Sequence, residues 1–246
     1  MANLNLWDDL KRWKSECEFV ELSHEFSPET PHWSGFPAMS YEKIFDYEVG
    51  FRVHKVTAVV ASQYGTHVDA PGPFVPGTRM LNELRADELV LPLVVIDVSA
   101  KVAEDCDYGV SVADIEDFEA KYGRIPDGCF VAARTDWSKR EDMDNFDENG
   151  QKHYPGWGMD ALKFLVEERN VAAIGHETSD TDVAVRSAAG GYVCEYYILE
   201  QDRYQIELLK NLDKVPPTGS VIVCGFPRGV DLTGFHARCY AICPKG

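Results

Sequence analysis

Apolar residues at Leu4, Leu6, Trp7, Leu10 and Trp13 recur at near-helical spacing and predict an amphipathic helix over residues 4–16. Strand-like patterns follow at 18–24 and 40–48, and the Val-rich stretch 51–61 reads as a further strand. A run dense in Gly and Pro from Tyr64 to Gly77 predicts a loop. The longest apolar run, Leu89 to Val98, is broken by Pro92 and Asp97 and reads as a buried strand, as does 129–135. Between these two, Ser111-Val-Ala-Asp114 resembles a capping box with Asp in place of the usual Glu or Gln, and it opens a helix that Gly123 ends. Leu162, Phe164, Leu165 and Val166 predict a helix over 159–169, leading into a short strand at 171–175. Residues 193–202 read as helix, and 220–226 and 237–243 as late strands.

Strands alternating with helices predict an α/β or mixed α+β fold, a central β-structure flanked by helices. Residues 139–152 are charged and poor in apolar groups, which suits a surface loop, and no repeat or linker divides the chain. Residues 1–246 are therefore read as one domain.

Composition narrows the function. With 24 Lys+Arg against 41 Asp+Glu, the formal charge of −17 repels phosphate backbones and anionic lipid headgroups, disfavouring nucleic-acid and membrane roles. No segment approaches the roughly 20 apolar residues of a membrane-spanning helix, and acids stand where a signal peptide carries basic residues. A cytoplasmic protein is expected. The seven cysteines are odd in number and lack CxxC spacing, so they read as small buried hydrophobes rather than as a disulfide framework or zinc ribbon.

The segment richest in chemistry is Gln63-Tyr-Gly-Thr-His67-Val-Asp69-Ala-Pro71-Gly-Pro73-Phe74. His67 and Asp69 stand two apart, which in extended backbone puts both side chains on one face, so that an imidazole and a carboxylate converge on one cation. Gly65 permits close approach of the chain and Pro71 stiffens the exit. The bland alternative is a His–Asp pair that stabilises a turn.

This segment resembles the signature loop of the cyclase family of metal-dependent hydrolases, which includes bacterial kynurenine formamidase and isatin hydrolase and whose loop usually reads His-x-Gly-Thr-His-x-Asp-x-Pro-x-His. Gly65, Thr66, His67, Asp69 and Pro71 match it. Leu22-Ser-His24 with Thr30-Pro31-His32-Trp33 and Gly35 is similar to the stretch that lines the family's substrate pocket. Val131 to Trp137 resembles a strand running into a Thr-x-Trp turn, and Gly175 to Asp182 stands where relatives carry Gly-Val-Asp-Thr-Pro-Ser-x-Asp. Glu195 and, twelve residues on, Glu207 stand where relatives have a late His and a metal-associated Glu. Three family histidines are thus replaced, by Gln63, Pro73 and Glu195.

Residue by residue, the resemblance implies a divalent metal held by His67 and Asp69, and by Gln63 where its amide oxygen substitutes for an imidazole nitrogen, Gln63 otherwise orienting a ligand; Glu207, with Glu195 nearby, would act as general base or hold a second metal. Fewer imidazoles and more oxygen donors favour manganese over zinc. Glu207 and Glu195, flanked by apolar and aromatic residues, are the candidate acid–base pair, although a solvated helix face is the ordinary place for Glu. Trp33, Phe36, Tyr64, Phe74 and Trp157 fall in predicted loops and suit the lining of a pocket for a flat ring, or an oligomer contact. His176 is either a further pocket residue or a buried histidine beside a salt bridge through Glu177; Asp180 and Asp182 read as loop carboxylates.

The activity implied is hydrolysis of a small amide, lactam or lactone by metal-activated water. A degenerate member that only binds a metal or small molecule, and a metal-dependent lyase or dehydratase, are the alternatives. Relatives of this kind form homodimers or homotetramers, and the N-terminal helix is a candidate contact.

Overall fold

The computed structural model describes residues 5–57, 63–72 and 75–245. Its elements are α1 (Leu6–Glu16), β1 (Cys17–Glu21), β2 (Ser40–Phe45), β3 (Val53–Thr57), β4 (His67–Asp69), β5 (Val90–Asp97), α2 (Ser99–Glu104), β6 (Gly109–Val110), α3 (Val112–Tyr122), β7 (Phe130–Arg134), β8 (Gly156–Trp157), α4 (Met159–Lys163), β9 (Ala173–His176), α5 (Ala184–Gly190), α6 (Val193–Glu200), β10 (Tyr204–Glu207), β11 (Ser220–Gly225), β12 (Gly234–His236) and β13 (Arg238–Pro244). Nine strands form one sheet in the order β1-β13-β11-β5-β7-β9-β10-β4-β12. The central β5, β7, β9 and β10 run parallel, while every other neighbouring pair in this sheet is antiparallel.

The apolar runs at 90–97 and 130–134 follow from this arrangement. Both faces of a parallel sheet are covered, so such strands need apolar residues at odd and even positions alike. Val94, Ile96, Val131 and Ala133 face one core, shared with Ile115 of α3, Leu162 of α4 and Ile198 of α6. Leu93, Val95, Phe130 and Ala132 face a second core with Val68, Ile206, Ile222 and Cys239, around which the sheet itself curls. Five cysteines, Cys129, Cys194, Cys224, Cys239 and Cys243, are buried.

The helix over 4–16 is present from Leu6, with Asn5 accepting from Trp7 N at its start, but none of its residues is buried. At α3, Asp114 completes the capping box: Ser111 N donates to its carboxylate at 2.7 Å and Asp114 N to Ser111 Oγ at 3.4 Å. The predicted 159–169 helix is α4 followed by one π-helical turn at Phe164–Glu168. The strand expected over 40–48 stops at Phe45 and pairs with β3 as a hairpin outside the main sheet, while 58–61 of the 51–61 strand lies outside the described residues.

The elements not anticipated include α2, α5 and the short strands β6, β8, β10 and β12, and β4 falls within the run read as loop. Glu207 stands at the end of β10. Segments of three or four residues carry too little periodicity to announce themselves; long-range pairing makes them strands.

Candidate active site

β4 lies between β10 and β12, and its pairing with β10 builds the site. The antiparallel register sets Glu207 opposite His67 and Gln205 opposite Asp69. Alternation then directs these four side chains to one face, while Val68 and Ile206, both fully buried, enter the core from the other. The two halves of the site are 136 residues apart in the chain and meet only through this ladder.

His67 is held by its own turn. Its Nδ1 meets Gly65 O at 2.8 Å, which puts the proton on Nδ1 and leaves the Nε2 lone pair directed inward. Gly65 adopts φ +65°, and a Cβ there would stand 2.6 Å from Thr30 Cγ2, so glycine is required. Nε2 lies 3.5 Å from Asp69 Oδ2 and 3.4 Å from Glu207 Oε2. One donor atom from each of His67, Asp69 and Glu207 lies within 4.8 Å of the others, and all three residues are buried.

Gln63 donates from Nε2 to Asp69 Oδ1 at 2.6 Å, an orienting contact rather than an oxygen offered to a cation. Gln205, absent from the sequence expectations, sits at the centre. Its Oε1 accepts from Thr181 Oγ1 at 2.6 Å, which turns Nε2 toward Asp69 at 3.1 Å, Glu195 at 3.3 Å and Glu207 at 3.0 Å. Its signal was present in the two-residue spacing to Glu207, but only once 204–207 is known to be a strand. Glu195 enters from the first turn of α6, whose N-terminus is capped by Asp182: the carboxylate accepts from Cys194 N at 2.9 Å and Glu195 N at 3.0 Å.

The electrostatics follow from crowding three carboxylates around one imidazole. Burial, followed by the charges of Asp69, Glu195, Asp180 and Asp182, drives the Glu207 carboxyl well above its ordinary range. Glu195 is driven the same way by burial and by Asp69, Asp180 and Asp182, with Gln205 opposing. Burial also pushes Asp180 up to about 6, although the Tyr154 hydroxyl donates to it. Asp69 goes down: burial opposes its charge, but His67, Gln63 and Gln205 outweigh burial. His67 goes up in return, Asp69 overcoming the cost of burial.

These residues fit a divalent cation. Two acceptor-only carboxylates and an imidazole lone pair converge on one buried point, and concentrated buried negative charge is costly until a cation offsets it. His67, Asp69 and Glu207 would hold the ion; Gln63 and Gln205 orient the carboxylates.

Above this point is a cavity of about 330 Å³ with Trp33, Phe36 and Tyr192 on its walls alongside Asp180 and Glu195. Trp33 and Phe36 meet edge-on at 4.9 Å between centroids. A second cavity of about 250 Å³ shares Trp33, Asp180 and Tyr192 with it and extends toward Lys152 and Tyr154.

Not every residue expected here is found here. Tyr64 is 1% exposed, gives its hydroxyl to Ser27 O at 3.0 Å and stacks on His32, and it does not line the cavity. Trp157 is fully buried in the core. Phe74 and Pro73 lie outside the described residues. His176 sits behind Glu207, with Nε2 3.7 Å from Glu207 Oε1 and without a hydrogen-bond partner among the described residues. Burial lowers its pKa to about 3, so it stands neutral. The expected salt bridge through Glu177 is not found among the described residues: Glu177 accepts from Thr135 N at 2.7 Å and Ser138 Oγ at 2.6 Å, neutral donors that tie β9 to the turn after β7.

One expectation concerns pH. Glu195, Glu207, Glu177 and Asp180 all have folded pKa values above their unfolded ones. Their protonated forms favour the native state, so metal-free protein is expected to lose stability as pH rises from the ordinary carboxylate range, about 4, through those raised values. His67, also raised, adds loss in the same direction as pH passes its folded value; Asp69, lowered, acts only at the acid end. Thermal melts in chelator at pH 5 and pH 8 should show a lower midpoint at pH 8, and excess manganese should close the gap. An unchanged midpoint across that range would contradict the crowding.

Comparison with known proteins gives the family. The model of the Cyclase family, described as putative cyclase, matches residues 20–183, and the chain belongs to that family. The chain is 28% identical over 252 residues to isatin hydrolase of Roseibium aggregatum, covering 96% of this chain and 95% of the relative. Among solved structures it is similar to isatin hydrolase A from Labrenzia aggregata bound to benzyl benzoate, at 30% identity and TM-score 0.90, covering 98% of this chain and 99% of that one. It is also similar to an isatin hydrolase bound to the product analogue thioisatinate, at 26% identity and TM-score 0.91, with both chains covered completely.

Proposed function

We propose that the protein is a metal-dependent hydrolase that opens the acyl C–N bond of a small cyclic amide, a lactam fused to or carrying a flat ring. The reading is carried by the His67–Asp69–Glu207 cradle at the floor of an aromatic-walled cavity. Relatives of similar length that share its fold are isatin hydrolases. A divalent ion in the cradle supplies Lewis acidity and makes water acidic enough to act near neutral pH. The chain's own groups do the rest. Trp33 and Phe36 offer apolar faces for a planar substrate whose carbonyl would lie over the cradle that lines the same cavity. Glu195 lines the same cavity and its raised pKa keeps it ready to exchange a proton; it returns that proton to the leaving nitrogen.

Oxygen donors outnumber the single imidazole, which favours manganese over zinc. Seven unpaired cysteines suit a reducing, cytoplasmic setting. No described helix is long and apolar enough to cross a membrane. Self-association, as a homodimer or homotetramer, is supported by the apolar groups left outside: Leu6, Trp7 and Leu10 on α1, and Tyr41, Ile44, Phe45 and Phe51 on and beside the β2–β3 hairpin. A two-stranded hairpin with every described side chain exposed is marginal alone and gains from a covering surface. Sedimentation analysis should find an oligomer, and a monomer at micromolar concentration would count against this.

The test of function is turnover of isatin and simple lactams in ¹⁸O-labelled water. Label should appear in the new carboxylate, turnover should stop in chelator, and it should return with manganese. Turnover without label would indicate elimination, and binding without product would indicate a degenerate pocket.

A further inference from the structure

A second cluster of metal-binding side chains lies on the other side of the loop that borders the active-site cavity. Cys106 and Asp107 occupy the turn between α2 and β6, shaped by Asp107 N donating to Asp105 Oδ1 at 3.0 Å. His153 comes from the far end of the acidic loop, 46 residues away, and meets Asp107 Oδ2 through Nδ1 at 2.6 Å. One donor atom from each of Cys106, Asp107 and His153 lies within 4.8 Å of the others. Asp147 stands on the outer side, its Oδ2 3.8 Å from His153 Nε2.

Two observations separate this group from an ordinary surface cluster. Asp107 Oδ1 is buried and has no hydrogen-bond partner among the described residues, so an acceptor-only oxygen is withdrawn from water with nothing facing it. The loop that supplies His153 also holds its shape: His153 N donates to Asp144 O at 3.2 Å, Asn145 Nδ2 to His153 O at 3.0 Å, and Asp147 N to Gln151 O at 2.9 Å. The donors are a thiol sulfur, an imidazole nitrogen and carboxylate oxygens, which together suit tetrahedral zinc or its substitute cobalt. This set is softer than the oxygen-rich set at His67, Asp69 and Glu207, so the two places prefer different ions.

We propose that Cys106, Asp107 and His153 form a second, structural zinc site, with Asp147 or water as the fourth ligand, that clamps the 139–153 loop to the body of the protein. Zinc displaces the thiol proton of Cys106 to solvent and binds the thiolate, so the step releases one proton and changes no oxidation state. The clamp sits one residue from two groups at the active site. Lys152 and Tyr154, on either side of His153, both line the cavity that adjoins the catalytic pocket, and Tyr154 donates to Asp180 on its wall. Fixing His153 on one side therefore fixes Tyr154 on the other, and the ion stiffens the wall without touching substrate.

Cobalt reads this site independently of the hydrolytic one, because no cysteine belongs to the His67–Asp69–Glu207 cradle and only a thiolate ligand yields a sulfur-to-cobalt charge-transfer band. Metal-stripped whole protein titrated with Co²⁺ should develop that near-ultraviolet band, and Cys106→Ser should abolish it. By equilibrium dialysis His153→Ala should bind one equivalent of zinc fewer than the natural protein, whereas Asp69→Ala should retain the cobalt–thiolate band. Zinc should also slow alkylation of Cys106, a readout on the unaltered chain should either variant fold poorly. Absence of the band at saturating cobalt, its survival in Cys106→Ser, or an unchanged zinc count in His153→Ala would each overturn the site. None of these outcomes depends on whether the protein hydrolyses lactams.

Discussion

Replacing Asp69 by Ala is expected to remove the bound divalent ion and take turnover to background. Asp69 is the carboxylate in the cradle whose pKa is lowered, its charge favoured by His67, Gln63 and Gln205, whereas burial raises that of Glu207. It also receives Gln63 and Gln205, and its removal takes the carboxylate acceptor from Gln63 and one of three acceptors from Gln205. Loss of residues that only orient a ligand typically costs about 10- to 100-fold in metal affinity or activity, so Gln63→Ala should fall in that range and Asp69→Ala well beyond it. Elemental analysis of purified protein separates the two, with manganese retained in part by the first variant and absent from the second, zinc at Cys106, Asp107 and His153 being untouched by either change. Full metal content in Asp69→Ala would remove the cradle as the catalytic centre.

Trp157→Ala is expected to have the largest effect on stability. The indole is fully buried in the core beneath α4 and α6, and its backbone N donates to Thr181 O at 2.8 Å. Truncating a buried Trp costs about 3–5 kcal/mol, which for a chain of this length lowers the melting midpoint by roughly 6–20 °C. Trp157→Phe should cost much less, since the indole N–H it deletes has no hydrogen-bond partner among the described residues. The consequence reaches the site through its neighbour: Trp157 bridges to Asp182, which caps the helix that carries Glu195. Activity of the Ala variant, measured at a temperature where it is folded, should fall further than that of the Phe variant. Equal stability of the two would mean that this core is far more plastic than its burial implies.

The contrast between these residues shows what a sequence reveals. His67 and Asp69 could be read because they are neighbours on one strand and belong to a string whose Gly and Pro are dictated locally. The buried parallel strands could be read because double-sided burial demands unbroken apolar runs. Gln205 could not, although it touches all three carboxylates, because its role exists only when β10 pairs with β4. Tyr64 and Trp157 stand away from the expected pocket lining for the opposite reason. Each sits beside glycines, prolines or charges that look like loop, yet tertiary packing buries each to 1% exposure or less. Local chemistry is written locally, whereas burial is a property of the whole chain.

The position of β4 has a consequence for how the protein comes into being. A three-residue strand has no stability of its own, and both of its partners, β10 and β12, come from the last fifth of the chain. A ribosome therefore finishes nearly the entire polypeptide before the His-x-Asp segment has anything to pair with, and such distant contacts form slowly. Until then the cradle lacks Glu207 and grips no ion firmly. Loading with metal is thus a late event that reports completed synthesis, and chains released early emerge without the means to acquire it.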